Sequence, residues 1–210
     1  MKDKIYKTKI KELKRLAFED LDFLNLVHTI EVVKIAKFLS KREKVDIKIV
    51  EIAALLHDVG KRYCRNMAEH HIYSVKRARK YLKALNFDEK FLDSVCNCIR
   101  SHSGLVDIFQ QWAKKHDRDK KFLPVPKTIE SKILFDADMI QQYTFFGIAK
   151  AFSSIFNQYD FEAELKEIIY NVFRKTIKKI QTVSGRTLAR KKMKKFEKYI
   201  NFLLESVRKK

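Results

Sequence analysis

A histidine and an aspartate stand side by side at His57-Asp58, directly after Ile52-Ala53-Ala54-Leu55-Leu56, the most apolar stretch of the chain. A carboxylate emerging there loses several kcal/mol of hydration unless a cation compensates its charge. If the stretch is a helix, its C-terminal end is itself negative and cannot compensate. The cation is therefore a Lys or Arg side chain, or a metal ion. The histidines decide between these. Of the six in the chain, His28, His71 and His102 also fall on inward stripes at helical spacing. His70 is rotated about 100° from His71 and is expected to face elsewhere. His116 lies in a charged run and is expected in solvent. A single histidine on an apolar face is usually a core residue. Four that converge on a charged centre, with a carboxylate, make a ligand set suited to Mn, Fe, Co, Ni or Zn.

Cysteine offers no competing chemistry. The three, Cys64, Cys96 and Cys98, are an odd number without a disulfide framework. Cys96 and Cys98 sit about 200° apart around a helix, a poor geometry for sharing one zinc. Free thiols in a reducing cytoplasm are expected.

The elements that must position these groups are helical. Only 4 Gly and 2 Pro occur in 210 residues, too few for the tight turns of an antiparallel β protein. Amphipathic spacing predicts a lead-in helix over Ile5–Phe18 and a second over Asp20–Lys41, with the stripe Leu24, His28, Glu31, Ile35, Leu39. Asp46 is the expected N-cap of the helix that ends at His57-Asp58. That helix is apolar on every side after Glu51 and belongs at the centre of a bundle. Gly60 is expected to stop it in the left-handed conformation. Further helices are predicted over Glu69–Leu85, from an Asp88 cap through His102, from Thr128 to Ala151, over Asp160–Lys179, and over Ser184–Val207 with Ser184 as N-cap. Ser103–Lys127 breaks the pattern, and 105–127 reads as a surface excursion and a candidate lid. With no repeat or linker, 1–210 is expected to be a single all-α domain, its core at about 20–151 and its C-terminal helices at 160–208.

Lys+Arg 46 against Asp+Glu 26 leaves a net charge of +20, which attracts anions such as nucleotides, nucleic acid or lipid head groups. The basic residues are spread along the chain and densest at Arg190–Lys195 and Arg208–Lys210, a pattern closer to a solvated helix face than to a nucleic-acid groove. No apolar run of about twenty residues predicts a membrane span, and Met1–Lys14 lacks the apolar core of a secretory signal. A cytoplasmic protein without membrane partners is the expectation. Oligomeric state is not readable.

The ordered set resembles the HD superfamily of metal-dependent phosphohydrolases across most of the chain. His28-Thr29 opens the motif and Leu55-Leu56-His57-Asp58-Val59-Gly60 is its core. Ile99-Arg100-Ser101-His102-Ser103 is similar to the family's I-x-x-H-S segment, and Ile133-Leu134-Phe135-Asp136-Ala137-Asp138 to its D-A-D segment. Ser184-Gly185-Arg186-Thr187-Leu188-Ala189 is similar to the G-R-x-L-A stretch of a bacterial and archaeal subgroup. The resemblance implies an all-helical fold of the HD-domain type and a divalent metal, Mg included, held by His28, His57, Asp58 and Asp138. Periodicity alone leaves Asp136 and Asp138 equivalent; Asp138 matches the family's last aspartate.

By the same resemblance a metal-activated water attacks a nucleotide or similar phosphate ester or anhydride. Asp58 accepts the proton, and His71 and His102 stabilise phosphate charge or hold a second ion, with one ion favoured; Lys61, by its place just past the helix end, either meets substrate phosphates or is an exposed lysine favoured at a helix C-terminus. The chain departs from the family twice. Glu31 stands where relatives often carry Arg, so it either orients a ligand, accepts a proton or pairs with a nearby cation. Met139-Ile140-Gln141 replaces the subgroup's R-L-D, which suggests a changed substrate pocket. Two other readings stay open: a non-catalytic basic nucleic-acid-binding bundle, and a phosphodiesterase of cyclic or signalling nucleotides.

Overall fold

In the computed structural model, residues 3–103, 125–155 and 174–208 are described, and every regular element among them is helical. The expected lid over 105–127 lies almost wholly outside these residues, as do His116 and most of the expected Asp160–Lys179 helix.

Helix α1 spans Asp3–Asp20 and buries Tyr6, Ile10, Leu13 and Ala17, a stripe at spacing three and four. Asp22 then caps α2, Phe23–Glu43, by accepting from the Asn25 N–H at 2.8 Å. The boundary falls later than expected because Asp20 does not start a helix. It ends α1, buried, where it accepts from Arg77 at 2.8–3.0 Å, from Tyr63 at 2.6 Å and from Tyr81.

Asp46 caps α3, Ile47–Leu56, accepting from the Lys48 N–H at 2.8 Å. Every side chain from Val50 to Leu56 is buried, and α3 packs against α1, α2, α5 and α6. A helix without a polar face has only the middle of the bundle open to it. Its one acidic residue, Glu51, is satisfied by the Tyr6 hydroxyl at 2.8 Å and the Lys37 ammonium at 2.7 Å.

Two 3₁₀ turns, Lys61–Tyr63 and Met67–Glu69, lead into α4, His70–Ala84, which pairs with α5, Glu89–Arg100. Helix α6, Ile129–Gln141, is capped by Thr128 and lies along α2. It does not run on to Ala151 as the periodicity suggests. The chain turns at Gln142–Thr144, and the Thr144 hydroxyl accepts from the Gly147 N–H at 3.3 Å to start α7, Phe145–Ile155. Short α8, Arg174–Lys179, and long α9, Val183–Arg208, close the described chain.

Two capping expectations need correction. Gly60 has φ −89°, an ordinary right-handed value, so conformational freedom is not why it is glycine. A Cβ there would lie 2.0 Å from the Ser74 amide nitrogen and 2.4 Å from the Tyr73 carbonyl carbon. The turn after Asp58 is pressed against the α4 backbone, and the Gly60 N–H donates to the Ser74 hydroxyl at 3.0 Å. The cap of α9 is Thr182, whose hydroxyl accepts from the Gly185 N–H at 3.0 Å. Ser184 instead donates its hydroxyl and N–H to Glu43, because the helix is capped two residues earlier than its pattern suggests.

Because backbone cannot yield as a side-chain tip can, Gly60→Ala is expected to cost roughly 1–3 kcal/mol or more. Thermal unfolding followed by circular dichroism should show the loss; an unchanged melting temperature would mean that this contact is slack.

Candidate metal centre

Three histidines reach the centre from the ends of helical turns, and each is held by the same local device. His57 follows α3, His102 follows α5, and His70 follows the Met67–Glu69 turn. Carbonyls in the last turn of a helix lack an N–H four residues on. Each ring uses the carbonyl three residues back: His57 Nδ1 to Ala54 at 2.7 Å, His70 Nδ1 to Met67 at 2.6 Å, His102 Nδ1 to Ile99 at 2.6 Å. A carbonyl only accepts, so Nδ1 carries the proton in all three rings. Each Nε2 is then a lone pair aimed inward.

These lone pairs have no proton to share. His70 Nε2 and His102 Nε2 face each other at 3.1 Å. Asp58 Oδ1 lies 3.8 Å and 3.7 Å from them, buried and without a hydrogen-bond partner. Three electron-pair donors around one point, in a dry interior, are stable only around a positive charge. The residues fit a metal ion.

A second set shares the same carboxylate. His28 Nε2 stands 3.0 Å from His57 Nε2, 3.2 Å from Asp138 Oδ1 and 3.4 Å from Asp58 Oδ2. His57 Nε2 is 3.2 Å from Asp58 Oδ2 and 3.9 Å from Asp138 Oδ1. Asp58 thus turns one oxygen to each set: His28, His57 and Asp58 form one possible metal group, and Asp58, His70 and His102 the other. His28 and Asp138 meet because α2 and α6 lie along one another.

The charges follow from this packing. Burial opposes charge on His28, yet the Asp138 and Asp58 carboxylates hold its pKa up at about 9. Burial keeps His57 below its ordinary value, and burial with the neighbouring His102 pushes His70 down to about 4. Asp58, against the desolvation that would raise it, is held well below the usual carboxylate range by His57, Lys61 and the other imidazoles. The Lys61 ammonium reaches Asp58 Oδ2, and its own pKa is raised by that carboxylate against its burial.

Not every expected group arrives. His70, expected to face away, is in the cluster, while His71 is buried with its ring edge-on to His70 at 5.8 Å and belongs to neither metal group. The helical rotation was right; both faces of the first turn of α4 are buried, and the one carrying His70 and Ser74 meets the Asp58–Gly60 turn. The missed signal was positional: His70 follows a turn whose Met67 carbonyl can fix its ring. Asp136 turns away from the imidazoles. It accepts from the Gln181 and Thr182 N–H groups at 2.8 Å and from the Thr182 hydroxyl at 2.6 Å, and burial raises its pKa despite these bonds. Gly185 sits over it, where a Cβ would fall 2.5 Å from Asp136 Oδ2. Among the described residues Glu31 meets no cation. It accepts from the Gln141 amide at 3.3 Å and from the Thr144 hydroxyl. The two departures from the family motif, at 31 and 141, therefore touch.

A cleft of about 600 Å³ opens beside the centre, lined by Asp20–Asp22, Asn25, Lys61, Arg62, Met67 and Lys150. Asn25, Lys61 and Met67 each stand three residues from His28, Asp58 and His70 respectively.

The HD-domain family model matches residues 25–142, more than half of the chain and the stretch from α2 through α6. The chain belongs to the HD-domain family. Several solved structures share its fold. Bacillus subtilis YpgQ is 22% identical with a TM-score of 0.71 over 96% of this chain and 97% of that one. An HD-superfamily hydrolase from Bacillus thuringiensis is 20% identical, TM-score 0.70, with both chains covered in full at 100%. A predicted HD superfamily hydrolase from an uncultured Thermotogales bacterium is 21% identical, TM-score 0.66, over 93% and 91% of the two chains. YpgQ has also been solved in complex with ADP, at 21% identity and a TM-score of 0.69. No curated protein matches the chain in sequence.

The imidazoles give this HD domain two pH limbs in the absence of metal. Below 6.5 the unfolded chain takes protons that buried His57 resists and that buried His70 resists until about pH 4, so stability falls on acidification. His28 acts oppositely: its stabilisation is complete below 6.5 and is lost as pH rises through about 9. Urea unfolding of chelator-treated protein is expected to peak near pH 6.5 and to lose on the order of 2–3 kcal/mol or more by about pH 4.5. His70→Asn should flatten the acid limb; an acid limb that persists unchanged would place its origin elsewhere.

Proposed function

We propose that this HD-domain protein is a metal-dependent phosphohydrolase whose substrate is a nucleotide or a similar phosphate ester or anhydride. The observation that carries the reading is the opposed pair of imidazole lone pairs at His70 and His102 beside the unpartnered Asp58 oxygen. Sequence alone favours one ion; this second group of donors, sharing Asp58 with the first, favours two. When bound, a divalent ion lowers the pKa of its water and polarises a phosphoryl oxygen.

The chain's own groups do the rest. His28, His57, Asp58 and Asp138 hold one ion; Asp58, His70 and His102 hold the other. Asp58 stays ionised, which suits it to hold ligand atoms and to accept the hydrogen bond of the attacking water. Water oxygen adds to phosphorus and the bond from phosphorus to the leaving oxygen breaks. Lys61, on the lip of the cleft with Arg62 and Lys150 nearby, neutralises phosphate charge. Glu31 positions α6, and with it Asp138, through Gln141. The cleft volume lies in the range that takes a small ligand, and the ADP bound by YpgQ supports a nucleotide as occupant.

Metal content by mass spectrometry, with a nucleotide panel assayed in Mn, Co, Ni and Mg, tests this. Wild type is expected to carry two ions per chain, His102→Ala one, and Asp58→Ala neither. Activity in His57→Ala and Asp58→Ala should fall by more than the roughly 10–100-fold that outer partners of metal ligands cost. A metal-free wild type that is indifferent to added metal would sink the enzyme reading. Turnover confined to cyclic nucleotides would move the reaction to phosphodiester cleavage.

A further inference from the structure

The far end of α2 carries a second cleft that the metal chemistry does not use. Phe38 and Arg42 of α2 face Ser184, Thr187, Leu188 and Lys191 of α9 across a groove of about 360 Å³. Phe38 lies ten residues along α2 from His28, about 15 Å at helical rise. Its ring is 44% exposed, with the Arg42 guanidinium 5.4 Å from its centroid. Among the described residues no acidic side chain lines the groove. The nearest candidate, Glu43, already accepts from the Ser184 hydroxyl and N–H.

Beyond Lys191 the same face of α9 continues at helical spacing through Lys195 and Lys198, all exposed, to Phe202, 70% exposed, with Tyr199 beside it at 67%. Cations and exposed aromatic rings alternate along one path. Rings set among cations along one path can stack flat partners, and a chain of net charge +20 favours an anionic one.

We propose that this groove and the adjoining face of α9 bind single-stranded nucleic acid, at a site separate from the metal centre. Arg42 and Lys191 would pair with backbone phosphates, while Phe38 offers a ring on which an unpaired base stacks; Ser184 and Thr187 add hydroxyls at the groove wall. Backbone cations with aromatic platforms form the recognition chemistry of single strands. A second copy of the chain is a poor occupant, because it would bring cations to cations. A duplex keeps its bases stacked and has none to offer Phe38. A bilayer meets a convex apolar face better than a groove.

Fluorescence anisotropy with a labelled oligo(dT) or oligo(U) of about twenty nucleotides tests the site. Wild-type affinity should fall linearly with the logarithm of salt. Arg42→Gln/Lys191→Gln is expected to weaken binding about 10-fold and to lower the salt slope by about 1.4, from two phosphate contacts. Phe38→Ala should weaken it about 5-fold or more with the slope unchanged. The control pair Lys7→Gln/Lys14→Gln, on the exposed face of α1, removes the same charge and should leave affinity within about 2-fold. Circular dichroism and metal content check that each variant is folded and keeps its metal centre. An equal loss in the control pair overturns the proposal, since the field alone would then bind. So does unchanged affinity in Phe38→Ala, or tighter binding to a duplex or to phosphatidylserine vesicles than to the single strand. None of these outcomes bears on the phosphohydrolase reading.

Discussion

A buried carboxylate, one of whose oxygens accepts no hydrogen bond, organises this molecule. Asp58 emerges from the most apolar helix into a ring of imidazole nitrogens, four of which lie within 3.8 Å of its two oxygens. Desolvation of such a group costs several kcal/mol and must be compensated on the spot. The compensation comes from Lys61, from a charged His28 and, in the proposed reading, from metal. The rest of the fold can be understood as the scaffolding that brings those partners to one point. Helices α2, α4, α5 and α6 each contribute a residue, and α3 supplies the centre around which they pack.

The precision of the site comes from helix ends. A histidine in mid-helix has no free carbonyl near it, so its tautomer is set by chance neighbours. At the end of a turn the carbonyl three residues back has room to bind Nδ1–H, and the ring is then fixed in both rotation and proton position. His57, His70 and His102 all use this device. It explains why these histidines sit where helices and turns end, and why close-packed turns accompany them. The Gly60 turn is locked against α4 for the same purpose. Asp136, the other aspartate of its motif, does comparable work at a distance, tying the 180–182 segment and the start of α9 to α6.

The departures from the family motif make sense together. Residues 31 and 141 face each other across α2 and α6, one turn beyond His28 and Asp138. A carboxylate and an amide form a hydrogen bond there, and neither position carries a cation. Positive charge near the cleft then rests on Lys61, Arg62 and Lys150.

By itself the sequence determined the class of fold, because periodicity, scarce turn residues and an all-apolar segment before His57-Asp58 leave helices around a central helix as the one arrangement that hides the oily surface. It also determined the family, through motif order, and singled out His28, His57, Asp58, His102 and Asp138, which the structure brings together. Tertiary packing decided what lies between elements. Whether His70 or His71 reaches Asp58 depends on how α4 enters the bundle, since both are buried. Asp136 and Asp138 are equivalent by spacing and differ only because α9 covers one of them. Gly60 looked like a turn residue and is a contact residue. The groove that pairs Arg42 with Lys191 joins cations far apart in the chain. Each of these is a relation between segments, and local pattern carries no information about distances across the bundle.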